Sequence, residues 1–264
     1  MLFTPLFCFS QLWEVGVMLG ASAYNGELTP GLLDTKQINP AGGVIIRANI
    51  NKYFTVKGNV YYGQISGDDK DATDPSARQR NLNFKSHILD ISVNGEINLT
   101  GFDPAKKDYK TSPYLFLGIA VFNFDPLGYD PVSGSWVRLQ PLGTEGQGTP
   151  RYNVRTKYAL TQISVPFGIG LKHSLSEHWN IGLEFGLRKT FTDYLDDISS
   201  TYVDNKYLSQ FSGALAARMA IGNNPANAAY GDNVLRGDPN SDDWYMMGGI
   251  IISYNILPPY CPHF

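Results

Sequence analysis

The chain has 264 residues, of which 43% are hydrophobic, 17% charged and 13% aromatic, with 27 glycines and a formal net charge of −3. With a mean hydropathy of −0.19, this excludes a disordered chain, and no run approaches the ~18 apolar residues of a membrane-spanning helix. The near-neutral charge gives no basic footprint for nucleic acid.

The first ten residues, Met1 to Ser10, are uncharged and apolar. They read as the remnant of a secretory signal, with small residues Cys8 and Ser10 before an expected cut ahead of Gln11. Its removal would leave Cys261 as the single cysteine, so no intramolecular disulfide is expected.

From Trp13 onward apolar and polar residues alternate at strand spacing, which sends them to opposite faces. Trp13–Tyr24 sets Val15, Val17, Leu19 and Ala21 against Glu14, Gly16 and Ser22. Val44–Asn51 and Phe54–Ile65 repeat the pattern, the latter with Val56, Val60 and Tyr62 against Thr55, Lys57 and Asn59. His87–Leu99 is the clearest, with Leu89, Ile91, Val93, Ile97 and Leu99 on one face and Asp90, Ser92, Asn94, Glu96 and Asn98 on the other. Pro113–Phe124 is apolar on both faces, which leaves its orientation open. Gln162–His173, Trp179–Thr190 and Trp244–Asn255 complete eight strands, near the ~9–11 residues that cross a bilayer when tilted. Pro166 removes a ladder donor within the sixth and predicts a bulge there. Ala214–Ala220 reads as a short helix, with Leu215 and Met219 packing it down.

The spacers are short after strands two, four and six (Lys52-Tyr53, Thr100–Ser112, Ser174–His178). They are long after one, three, five and seven (Asn25–Ala41, Ser66–Ser86, Asp125–Thr161, Phe191–Asp243). That alternation predicts an all-β fold: an eight-stranded antiparallel transmembrane β-barrel of the outer membrane, with short periplasmic turns and long extracellular loops, its outer face against outer-membrane lipids. Aromatic girdles are expected from Trp13, Tyr53, Tyr114, Trp179 and Tyr254 at the short-turn end and Tyr24, Tyr62, Phe124, Phe191 and Trp244 at the other. Residues 11–255 form the barrel in this reading. Residues 256–264, with Pro258, Pro259 and Pro262, form a short periplasmic tail that cannot extend the sheet.

The lumen face collects Glu14, Arg47, Lys57, Asp90, Glu96, Lys172, Glu184 and Arg188, four acids and four bases. Eight strands leave an interior that side chains can fill, and buried charges there must pair. An ion-paired plug is expected rather than a gated pore. Enzymatic function is not expected. Ser86 and His87 stand near Asp90 at the outer rim, but neighbours on a strand point to opposite faces and make a poor nucleophile and base. The acidic runs Asp68–Asp74 and Asp238–Asp243 could offer oxygens to calcium, but neither has the EF-hand glycine and terminal Glu, and solvated loop charge is the expectation. Gly26, Gly143, Gly146 and Gly148 lie in loops, and no glycine-rich segment opens a helix to hold phosphate. No metal, cofactor or small-molecule substrate is expected.

Several segments go beyond a generic barrel. These are Trp13-Glu14-Val15-Gly16, the strand Pro113–Phe124, Trp136 through Gly148 with its Leu139-Gln-Pro-Leu-Gly-Thr-Glu-Gly-Gln-Gly148 core, Val165–Gly170, and Phe191-Thr-Asp-Tyr-Leu-Asp-Asp-Ile-Ser199. Together they resemble the PorG-type outer-membrane barrels of the type IX secretion and gliding-motility machinery. The resemblance implies a non-enzymatic, OmpA-like barrel that associates with a periplasmic ring lipoprotein. A periplasmic ring reaches only the short turns, which makes Lys106, Lys107 and Lys110 the expected contact. A surface-binding, adhesin-like barrel acting through its long loops is the alternative. The two loop blocks, from Leu139 and from Phe191, either pack over the barrel mouth or bind a partner.

Overall fold

The computed structural model describes residues 12–29, 31 and 35–256. The expected signal remnant, Cys261, and the expected tail beyond Ile256 lie outside the described residues. The strands are β1 (Leu12–Asn25), β2 (Asn39–Asn49), β3 (Phe54–Asp68), β4 (Asn83–Asn98), β5 (Thr111–Asp130), β6 (Ser135–Arg138), β7 (Thr161–Ser174), β8 (Trp179–Thr190) and β9 (Trp244–Ile256). Every pairing is antiparallel. The order β4-β3-β2-β1-β9-β8-β7-β5 closes on itself through β4 and β5. The first and last long strands form the seam, from Trp13 opposite Ile256 to Asn25 opposite Trp244. The barrel thus has eight strands. The ninth, β6, folds back on the outer end of β5, with Asp130 opposite Ser135, and raises a hairpin above the rim.

Each strand places its side chains by parity. Leu19, Val93, Leu117 and Ile119 on the outer face are 61–70% exposed. Such an unbroken apolar wall is tolerable only in an apolar medium. A closed barrel satisfies all its backbone groups without water, so it can stand in one. The protein is therefore a transmembrane outer-membrane barrel, and no helix of the described residues is long and apolar enough to cross a membrane.

The structure resolves β5, whose two faces look alike in sequence. Leu115, Leu117, Ile119 and Val121 face outward, while Tyr114, Phe116, Ala120, Phe122 and Phe124 are buried. Three girdle expectations fail. Tyr24, Tyr114 and Phe124 are buried inside the barrel, whereas Trp13, Tyr53, Trp179, Tyr254, Tyr62 and Phe191 do stand on the surface. Strand parity, not aromatic identity, decides the face. Pro166 makes no bulge. The β5–β7 ladder pairs Leu117 with Phe167 and resumes at Ala120 with Ser164 in the same register, so the proline only drops two pairs.

Above the membrane the described loop residues carry three α-helices: α1 (Pro75–Arg80), α2 (Asn205–Ser212) and α3 (Ala214–Ile221). Asp74 caps α1 through the Ser76 amide, and Asp204 caps α2 through the amides of Lys206 and Tyr207. The expected 214–220 helix is α3. It packs through Ala216, Ala217, Met219 and Ala220, while Leu215 is only half-buried.

Candidate functional site

The lumen fills in layers from the periplasm outward. Asn49, Thr55, Asn98, Asn180 and Asn255 form a neutral polar floor, with Thr55 donating to Asn49 at 2.7 Å and Asn180 to Asn255 at 2.9 Å. Above it the structure brings the predicted charges together around Arg47. The Arg47 guanidinium reaches Glu14 at 2.6 Å, Glu96 at 3.0 Å and Glu184 at 3.8 Å, and donates to the Tyr114 hydroxyl at 3.3 Å. Lys57 meets Glu184 at 2.5 Å and Glu96 at 3.3 Å, and Lys172 meets Glu96 at 3.2 Å. Three bases thus face three acids, all buried. Arg188 and Asp90 form a separate pair at 3.7 Å one layer higher, where the Tyr245 hydroxyl also donates to Asp90 at 2.7 Å. Neutrality within each layer is what makes so many charges tolerable away from water.

Aromatic and apolar side chains take over toward the outside. Phe122 packs on Phe124 and Tyr245, Tyr24 on Phe84, and Phe124 on Tyr158. Leu195 and Ile198, from the segment after β8, reach down into this core. The loops therefore plug the barrel as well as surround its mouth.

The two loop blocks singled out in the sequence bind one another. Buried Glu145, in the first block, accepts from the Ser199 and Ser200 amides at 3.0 and 3.1 Å and from the Ser200 hydroxyl at 2.6 Å. It also pairs with Arg236 at 3.0 Å. Thr144 donates to Asp197 of the second block, and Tyr158 donates to the same carboxylate at 2.7 Å. Arg80 ties in the second extracellular loop through a two-pronged contact with Asp69 at 2.8 and 2.9 Å and bonds to the carbonyls of Glu27 and Arg236. A second apolar core of Tyr152, Val203, Leu208, Ala216 and Ala220 completes a folded cap. Of the two readings of these blocks, the geometry shows the packed one.

Between cap and plug lie four carboxylates that sequence reasoning did not join. Glu27 follows β1, Asp193 and Asp196 follow β8, and Asp243 precedes β9. One oxygen from each of Glu27, Asp196 and Asp243 lies within 4.8 Å of the others. The Tyr24 hydroxyl stands between Asp196 Oδ2 at 2.7 Å and Asp243 Oδ1 at 2.9 Å. Burial first, then the Asp193 charge, pushes the Glu27 pKa up to about 7. Burial, with Asp196 and Glu145 adding to it, pushes Asp193 up to about 7. Burial and the neighbouring acids raise Asp196 and Asp243 well above the usual range. Arg80 is the cation that opposes this at Asp196. A carboxyl whose folded pKa is raised holds its proton more tightly when folded. Its contribution is complete below the unfolded value near 4 and is lost as pH rises through about 7. In buffer without divalent cations, protease cleavage of the cap should therefore quicken between about pH 5 and about pH 8, and a flat profile would contradict it.

The acidic runs noted in the sequence are otherwise spoken for. Asp69 holds Arg80, Asp71 holds Lys36, and Asp242 holds Lys189. At the rim, Ser86 is buried while His87 faces out and stacks on Tyr62 with ring centres 5.6 Å apart.

On the periplasmic side the turn 99–110 folds over the lumen floor. Phe102 is buried beneath the Lys172 ammonium, which lies 4.9 Å from its ring centre. Lys106 and Lys107 are exposed and Lys110 half-buried. Lys106 pairs with Asp103 at 3.3 Å.

A family model described as a domain of unknown function, DUF6089, matches residues 1–130. No curated protein matches the chain. Among solved structures, Ail, the attachment invasion locus protein of Yersinia pestis, in complex with the heparin analogue sucrose octasulfate, is similar at 8% identity and a TM-score of 0.45. That match covers 94% of this chain and 99% of Ail. The N-terminal β-barrel domain of Pseudomonas aeruginosa OprF is similar at 11% identity and a TM-score of 0.38, covering 94% and 98%. Neisserial surface protein A is similar at 8% identity and a TM-score of 0.39, covering 93% and 96%.

Proposed function

We propose that this outer-membrane barrel is a non-enzymatic structural component of the type IX secretion apparatus that associates with its periplasmic ring lipoprotein. The observation that carries the structural role is the filled lumen. Among the described residues, charged layers, an aromatic plug and a folded cap fill the lumen, so in this reading the molecule acts through its surfaces. The particular machine is read from the sequence blocks that resemble PorG-type barrels. Two of them, near Glu145 and near Ser199, build one contact in the cap, so the resemblance falls on residues the fold uses together.

The periplasmic contact in this reading is the turn 99–110. It is the longest of the three periplasmic connections and is anchored by Phe102, whose amide donates to the Lys52 carbonyl at 2.7 Å. Such anchoring presents Lys106 and Lys107 on a fixed platform. Affinity purification of the tagged protein from crosslinked outer membranes should recover the ring lipoprotein. Changing both Lys106→Glu and Lys107→Glu should lower that recovery severalfold without changing barrel folding, because surface charges change stability little. Recovery of the barrel alone, with cargo secretion intact in a deletion strain, would overturn the assignment and favour surface binding by the loops.

A further inference from the structure

We propose that Glu27, Asp193, Asp196 and Asp243 form a calcium site that locks the extracellular cap onto the barrel seam, a role separate from any periplasmic partner. An acidic cluster alone would not justify this. What does is a set of unmet valences in and beside the trio of Glu27, Asp196 and Asp243. Asp193 is only 8% exposed. Both of its carboxyl oxygens, together with Glu27 Oε2, are buried without a hydrogen-bond partner. The Ser199 side chain and the Glu27 carboxyl approach Asp193 at hydrogen-bonding range and lower its pKa, although neither sets a donor in full bonding geometry on its oxygens. Buried polar atoms are almost always paired, so unmet oxygens on Glu27 and on the adjoining Asp193 call for a ligand.

The hydrogen count points the same way. Tyr24 has one hydroxyl hydrogen but lies at bonding distance from two carboxylates. The second contact is met either by a proton on one of the two carboxyls or by a cation held between them. Arg80 does not supply that positive charge fully, since its guanidinium is committed to Asp69 on two prongs. Four acids therefore meet without a cation of their own. The backbone closes in as well: a Cβ at Gly26 would run into Asp243 Oδ1 and the Tyr24 hydroxyl, so glycine is the residue that lets the chain approach.

The donor set selects the ion. All donors are oxygens, which suits a hard cation, and among the described residues no histidine or cysteine joins the group for zinc. Calcium accepts several carboxylates in irregular geometry, whereas magnesium demands an octahedron and keeps its waters. The carboxylate oxygens already bonded, as Asp196 Oδ1 is to the Ile198 amide and Asp243 Oδ2 to the Leu195 amide, each keep a second lone pair for the ion.

The test uses the full chain folded in detergent micelles. Calcium titrated by calorimetry should bind one ion per barrel with a Kd in the range of roughly 10⁻⁶ to 10⁻³ M. Magnesium should bind at least about tenfold more weakly. Terbium(III) should occupy the same place and luminesce on tyrosine excitation, with calcium quenching the signal by competition. Asp193→Asn should weaken calcium at least about tenfold, and in chelator its cap should resist protease longer than the wild-type cap, because one like charge is gone. Glu27→Gln, on the cluster's edge, should show the same pair of effects should Asp193→Asn fail to fold. Absence of saturable calcium binding by the wild type overturns the proposal, as does unchanged affinity in a folded Asp193→Asn variant. Equal affinity for magnesium overturns the choice of ion.

Discussion

Replacing Arg47 with methionine should destabilise the barrel by about 3–5 kcal/mol, the penalty for removing one partner from a buried ionic network. Arg47 meets Glu14, Glu96 and Glu184 and also donates to Tyr114. Without it, three buried acids face only Lys57 and Lys172, which leaves one negative charge uncompensated in the lumen. Ser253 still donates to Glu14 at 2.5 Å, but a hydroxyl cannot neutralise a carboxylate. The measurement is the urea midpoint of the folded barrel in lipid vesicles, read on gels where folded and unfolded forms migrate apart. A second variant gives the result its meaning. Arg47→Met combined with Glu14→Gln restores a neutral layer and should recover a substantial part of the loss, a coupling that packing alone would not produce. An Arg47→Met midpoint equal to wild type would refute the network as a source of stability.

Glu145→Ala should open the cap while leaving the barrel intact. Its carboxylate holds the Ser199 and Ser200 amides, the Ser200 hydroxyl and Arg236. Truncation strands the buried Arg236 guanidinium, which keeps only backbone carbonyls at Asp197 and Ala220 and a 3.8 Å approach to the Asp197 carboxylate. The expected loss is again about 3–5 kcal/mol, confined to the cap. Protease added outside intact cells should then cut within residues 191–243 much faster, with the strand fragments still protected. Glu145→Gln keeps the shape and part of the hydrogen bonding, so its effect should be smaller. Equal cutting rates for wild type and Glu145→Ala would show that the two blocks do not depend on this contact.

The barrel was legible wherever one face of a strand is polar. The run from Leu89 to Leu99 announces its two faces residue by residue, and all eight long strands overlap the expected segments. β2 begins at Asn39 rather than Val44, and β5 runs on to Asp130 rather than Phe124, because both strands extend above the rim. The lumen charges were legible for the same reason, since parity alone puts Glu14, Lys57 and Glu96 inside. β5 was not, because its inward side chains Phe116, Phe122 and Phe124 build the apolar plug and erase the polar half of the signal. Tyr24 was misplaced on the girdle although it shares parity with Glu14 and Ser22, a clue that outranks its being aromatic. The carboxylate cluster had no local signature at all. Glu27 and Asp243 are separated by nearly the whole chain, and neither belongs to a spacing motif that chemistry would recognise. Only the closure of β1 on β9 makes them neighbours.

That closure gives the molecule an order of assembly. The seam joins the two ends of the barrel, so its contacts carry the largest separations along the chain: 239 positions between Glu14 and Ser253, and 219 between Tyr24 and Asp243. Contacts of this span form after the hairpins between them, because each demands that a long loop already be shortened by intervening structure. The cap draws on both sides of the seam, taking Tyr24 and Glu27 from one end and Asp243 from the other. It cannot finish while the sheet is open. A protease-resistant cap on the cell surface is thus a certificate of completed insertion, legible from outside without touching the membrane.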